Sequence, residues 1–346
     1  MKQLAALLFA VSIGFAQPDA ARALSNQGLD AYDRHDYTGA EGLDRDAIAK
    51  WEALGTAYEP HLGITRLNLA QVLAVEGRRA ESVAQLRQAV ALLRRTLGVR
   101  AIQTLIAMNL LAGLDLMVGD NAGAQRLVDE ALPIAREIDP AGVQSSRALA
   151  ALACLRMRGG RFEEALPLAD EALRIAIQAA GEDSIDAALV YGTAAEVHRS
   201  AGRPERALPL YRRSRAIYEK RLGPQDTRVA SILSQEALIL IDDRQYALAE
   251  QSLKRSIGIL DHSCPGCAVE HWSAESALGL LRTRQGKYAE ADRLFTRLLA
   301  VQESAQPQPF ADIAVTLNAL AFVRRKEHLF EDADRLTNRA AALSFH

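Results

Sequence analysis

Along most of this chain apolar residues return every three or four positions, and short polar breaks interrupt the pattern. Between about residues 272 and 303 Ala277, Leu278, Gly279 and Leu281 share one helical face, Gln285-Gly286-Lys287 breaks the periodicity, and Tyr288, Ala291, Leu294, Phe295 and Leu298 resume it. That spacing predicts two amphipathic helices. Glycine in the break ends the first of them, and a three-residue turn leaves the pair antiparallel as a helical hairpin.

The same form recurs along the chain. Ala40, Ser82, Ala124, Ala165, Ala207, Ala249, Ala291 and Ala333 follow one another at steps of 42 residues, with a single step of 41. A second column lies upstream in the other helix of each pair: Gly28, Ala70, Ala112, Ala153, Ala195, Ala237, Gly279 and Ala321. Every member is Ala, Gly or Ser, as expected where two helix axes approach closely and a larger side chain would force them apart. A third, mostly small column runs Ala47, Ala89, Ala131, Ala172, Ser214, Ser256, Leu298 and Ala340. Bulky residues precede the first column at Tyr37, Phe162, Tyr246, Tyr288 and Phe330, while Arg79, Asn121 and Pro204 depart from that rule. A period this long marks one supersecondary unit repeated, each copy burying its apolar face against its neighbours. The units fall at roughly 21–60, 62–99, 104–140, 145–181, 187–223, 229–263, 271–306 and 313–346.

Composition agrees with closely packed helices. Only 5% of the 346 residues are aromatic, and 49% are hydrophobic. A net charge of −2 provides no field for recruiting nucleic acid or an anionic membrane. Residues 1–16 have the form of a secretory leader: Lys2, an apolar run from Leu4 to Phe15, and small residues Gly14 and Ala16 before Gln17. The apolar run is too short to span a bilayer. We therefore expect an exported protein, periplasmic or secreted and not membrane-embedded, with residues 17–346 forming a single solenoid domain.

The spacing small–x6–Gly–x–aromatic–x2–Ala–x6–Ala resembles the tetratricopeptide repeat, with good copies at 159–173 and 285–299. The usual unit has 34 residues, so the period of 42 is similar to the kinesin light chain type. "RLGPQDTRVA" (221–230) resembles the linker of that subtype, and "RLNLAQVLAVEGRRAES" (66–82) and "TLNALAFV" (316–323) resemble its first helix. The resemblance implies an all-α, right-handed α-α superhelix of about eight hairpins, with the first helix of each unit on the concave face. It further implies a scaffold that holds a protein or peptide partner there without a cofactor.

On that face Asn68, Asn109, Gln235 and Asn318 stand two or three residues before the small column, and an amide offers a peptide backbone both donor and acceptor. Arg147, Arg199 and Arg325 add positive charge. Leu116, Met117, Met157, Leu238 and Phe322 offer apolar surface. Asp334, Arg335, Asn338 and Arg339 make the last helix polar enough to close the stack, so the expectation is a monomer or weak homodimer.

Cys264 and Cys267 flank Pro265-Gly266, a pair suited to the centre of a type II turn, so a small disulfide loop is expected. Two alternatives stay open: a metal site using His262, Cys264, Cys267 and His271, and a redox dithiol. Cys154 reads as a small core residue. The chain carries no P-loop, HExxH, GxSxG or dinucleotide glycine pattern, so no enzymatic activity is expected.

Overall fold

The computed structural model describes the backbone of residues 2–264, 266–305 and 309–343, and side chains from residue 18 onward. The leader assigned to residues 1–16 therefore lies outside the residues whose side chains are described. Among the described residues all regular structure is helical, in sixteen α-helices with one 3-10 turn at Thr56–Tyr58. None of these helices is long and apolar enough to cross a membrane.

The chain divides into two compact units, Met1–Ala201 and Gly202–His346. The first holds α1 (Lys2–Asp33), α2 (Tyr37–Leu54), α3 (Glu59–Val75), α4 (Arg79–Thr96), α5 (Ile102–Val118), α6 (Asn121–Ile138), α7 (Val143–Arg158), α8 (Phe162–Ala180) and α9 (Ile185–Ser200). The second holds α10 (Pro204–Leu222), α11 (Thr227–Asp242), α12 (Tyr246–Ser263), α13 (Ala268–Arg284), α14 (Tyr288–Ser304), α15 (Phe310–Lys326) and α16 (Phe330–Leu343). In chain order these make eight successive helix pairs, as the eight small-residue positions require.

The position three residues before the first small column is the first residue of every second helix, from Tyr37 to Phe330. Proline at this place in α10 costs no hydrogen bond, because the first helical N–H has no partner within the helix. Just ahead of it, one residue in each hairpin turn has a left-handed backbone: His35, Gly77, Gly119, Gly160, Gly202, Arg244, Gly286 and His328. The turn after α3 shows the reason. Arg78 N donates to Leu73 O at 2.9 Å and Gly77 N to Ala74 O at 3.2 Å, which closes the end of the helix as a Schellman motif.

Both small columns are buried throughout. Their contact is explicit where Ser82 Oγ donates to Ala70 O at 2.6 Å, between α4 and α3. The third column reaches a first helix in the same way: Ser256 Oγ donates to Ala230 O at 2.8 Å. In the first unit one continuous core includes Leu86, Leu93, Leu105, Met108, Leu149 and Ile175, and a separate group gathers on Trp51 and Leu69. In the second unit Leu240, Ile241, Leu253 and Leu281 form one group, and Phe295, Leu317 and Leu320 another.

Consecutive second helices of the first unit are linked at the surface by ion pairs about one repeat apart. These are Arg45–Glu81 at 3.4 Å, Arg94–Glu130 at 2.5 Å and Arg136–Glu171 at 3.0 Å. Solvent screens such pairs to about 0–1 kcal/mol each, so they contribute to the pairing of neighbours more than to stability.

Candidate apolar groove on the first helices

In the first unit α3, α5, α7 and α9 present a common face with a cavity of about 400 Å³. Leu86 of α4 also contributes to its lining. The space exists because Gly113, Ala150 and Ala151 bring almost no side chain to it. A Cβ built at Gly113 would meet nothing within 4 Å. Leu110, Leu114, Met117 and Leu189 supply apolar wall, and Met117 and Leu189 are exposed.

Five polar residues interrupt that wall: Gln71, Asn109, Arg147, Arg158 and Thr193. Asn109 is only 6% exposed. Its Nδ2 donates to the carbonyl and to Oε1 of Gln144, at 3.0 Å each, while its Oδ1 has no partner. A buried acceptor without a donor is costly. Arg147 reaches across to α9, where its Nε and Nη2 donate to Asp186 Oδ1 at 3.0 and 2.6 Å. Arg158 stands at the edge and donates to Asn121 Oδ1 at 3.1 Å. The lining includes these two cations and no carboxylate.

Cys154 also lines this cavity. Burial pushes its thiol up to about 11, against a smaller opposing effect of Arg158, so it stays a neutral thiol at neutral pH and is a poor nucleophile.

The structure thus brings together two of the seven polar groove candidates, Asn109 and Arg147, with Met117 beside them. Asn68 is buried in α3 and its Nδ2 is unpartnered. Arg199 pairs with Glu196 at 2.5 Å. In the second unit Gln235 is half-buried with Oε1 unpartnered, Asn318 is exposed on α15, and Arg325 donates to Asp334 at 2.9 Å. The four amides occupy two registers, because Asn68 and Gln235 stand two residues before the small column and Asn109 and Asn318 three. One residue is about 100° around a helix, so they do not share one line. Leu116 is buried in the core and also lines the cavity.

Cys264 and Cys267 are joined as a disulfide with Cα atoms 5.3 Å apart, and both are buried. Among the described residues no group of three or more His, Cys, Asp or Glu is arranged to hold a metal ion. The linker between α6 and α7 starts in the same way without a bridge, although Gly142, with ψ 164°, enters its helix from a more extended backbone than Cys267, with ψ 64°. Asp139 has φ −150° and ψ 85°, and Cys264 has φ −153° and ψ 70°. Gly142 N donates to Asp139 O at 3.1 Å, just as Cys267 N donates to Cys264 O at 2.9 Å. The sequences are Asp-Pro-Ala-Gly and Cys-Pro-Gly-Cys.

The closing hydrogen bond of the turn therefore forms without the covalent bond. Reduction is expected to leave the helices intact and to cost at most about 2 kcal/mol, the loop-closure contribution of so short a ring. Replacing Cys264, Gly266 and Cys267 by Asp, Ala and Gly should give a protein whose urea midpoint no longer responds to reductant. Loss of helical circular dichroism on reduction of the parent chain would contradict this.

Two family models described as tetratricopeptide repeat match the chain, one at residues 61–137 and 144–220 and the other at 275–306. No curated protein matches it in sequence. Among solved structures it is similar to BtubC (BKLC) from P. vanneervenii, at 24% identity over 65% of this chain and 89% of that one, with a TM-score of 0.50. A Rap protein complexed with Competence and Sporulation Factor aligns over 94% of this chain and 98% of that one, at 13% identity and a TM-score of 0.64. The apo form of the quorum sensor NprR from B. thuringiensis aligns over 94% and 87%, at 14% identity and a TM-score of 0.65. At these identities the likeness concerns the fold.

Proposed function

Because the chain belongs to the tetratricopeptide repeat family, we propose that it is a non-enzymatic scaffold that holds a protein or peptide partner on the first-helix face of its first unit. The observation that carries this reading is the apolar cavity lined by α3, α5, α7 and α9, with the cations Arg147 and Arg158 and no carboxylate in its lining. An apolar recess with a few placed polar groups is the usual form of a binding site, and here one apolar side chain of a partner would anchor in the recess. The Rap relative, whose structure contains Competence and Sporulation Factor, supports the same use of the fold. The leader pattern of residues 1–16 supports export, so the partner is sought outside the cytoplasm.

Gly113 permits a test in which binding and folding respond oppositely. The Cβ of a tryptophan there meets nothing within 4 Å and its ring would occupy the cavity beside it, while replacing a mid-helix glycine by tryptophan favours the helix by about 0.3–0.5 kcal/mol. Gly113→Trp is expected to keep or raise the melting temperature and to weaken partner binding about tenfold or more, a loss of about 1.4 kcal/mol. The measurement is quantitative co-purification from extracytoplasmic extract with wild-type and variant bait, together with the mass of the mature bait, expected to begin at Gln17. Equal partner recovery by both baits would reject this cavity as the partner site.

A further inference from the structure

Asp44 lies inside the first hairpin, on the face of α2 that meets α1. It is 1% exposed, and neither carboxylate oxygen has a hydrogen-bond partner. The equivalent positions in the next six repeats hold Leu86, Val128, Ala169, Tyr211, Leu253 and Phe295. The eighth repeat has Thr337 there, so Asp44 is the one ionisable group in a column that is otherwise apolar or aromatic apart from that hydroxyl. Gly28 of α1 accommodates it, since a Cβ there would lie 2.7 Å from Asp44 Oδ1. The carboxyl group also separates two apolar groups, one of Ala31, Ala40 and Val72 and the other of Ala47, Ile48, Trp51 and Leu69.

Among the described residues no charged group on the surrounding helices pairs with it. On α2, Glu41 pairs with Arg45 and Arg78, Glu52 pairs with Arg66, and Asp46 and Lys50 are exposed. On α1, Arg22 pairs with Asp19, while Asp30 and Asp33 are exposed. On α3, His61 stacks on Trp51, Glu59 pairs with Arg95, and Arg66 turns away to Glu52 and Gln85. Glu76, just past α3, pairs with Arg78.

We propose that Asp44 makes docking of the first hairpin pH-dependent: α1 packs on α2 when this carboxyl is protonated and loosens when it ionises. The hairpin packs on α3, and in a repeat protein one unit can open locally without unfolding the rest. An isolated buried carboxylate is among the costliest groups a core can hold. Burial alone raises Asp44 from 3.8 to about 7. Because the folded value lies above the unfolded one, the stabilisation is complete below about pH 4, declines as pH rises, and is lost once pH passes about 7.

Hydrogen exchange read by mass spectrometry tests this on the full chain. Amides of residues 18–54 are compared with those of α5 and α6 in the same molecule, which corrects for the chemical effect of pH. The relative protection of the first hairpin is expected to fall about 100-fold between about pH 5 and about pH 8. In Asp44→Asn, and in Asp44→Leu, which restores the side-chain type of Leu86, that fall should nearly vanish. Equal relative protection of wild-type protein at both pH values overturns the proposal whether or not the variants fold. Persistence of the fall in a folded variant overturns it as well.

Discussion

Trp51→Ala is expected to lower stability by about 3–5 kcal/mol, the range for removing a large aromatic side chain from a packed interior. Trp51 is 1% exposed. Its ring stacks at 5.6 Å on Tyr58 and at 4.9 Å on His61, so it bridges α2 to the turn and to the next hairpin. Its Nε1 has no hydrogen-bond partner, so truncation strands no acceptor and the loss is one of packing and apolar burial. In a repeat protein such a loss acts first on the local interface. Urea unfolding followed by circular dichroism should therefore show an early transition for the first hairpin before the main one. Trp51→Phe, which keeps a ring in the stack, should lose much less. A Trp51→Ala protein with an unchanged single transition would show that the first two hairpins are not coupled through this residue.

Gly279→Ala is expected to destabilise the second unit by about 1–3 kcal/mol, although alanine is the better helix former by about 1 kcal/mol. The added Cβ would lie 2.6 Å from both Cε1 and Cζ of Phe295. Phe295 is buried in α14 and packs with Leu299, Leu317 and Leu320, which leaves its ring little room to retreat. The clash, rather than the backbone, sets the sign. Phe295→Leu should shorten the obstructing side chain, so the double variant is expected to lose less than the sum of the two singles. A urea-based double-mutant cycle reads that coupling directly. An additive result would mean that the glycine is not held by the ring. Gly28 stands at the same place in the first repeat, but there the obstructing group is the carboxylate of Asp44.

The fold was largely legible because its strongest constraint is steric and local. Two helix axes can approach only where both side chains are small, so Ala40 through Ala333 and Gly28 through Ala321 mark the hairpin contacts, and all of them are buried. The left-handed turns were legible where glycine fills them, and His35 and His328 take the same backbone in the first and last hairpins. The turn at Arg244 was not legible, because arginine has no particular affinity for that backbone. The cavity left no positive signal. It arises from what Gly113, Ala150 and Ala151 lack, and small residues elsewhere in the chain mean close packing instead. The amides illustrate a limit of register, since a shift of one residue turns a side chain by more than a quarter of the helix circumference. Asp44 was readable in principle: its column contains Leu86, Leu253 and Phe295, and one acid among them identifies a buried group.

The left-handed turns also bear on how such a chain changes length. Gly77 and Gly119 have φ of 76° and 88°, and each is followed by the first residues of an equivalent helix. A recombination that drops or duplicates residues 78–119 joins two ends already in the same backbone conformation. The new junction needs no redesigned loop, so the gene can gain or lose whole modules by in-frame exchange, and each event adds or removes one stretch of binding surface.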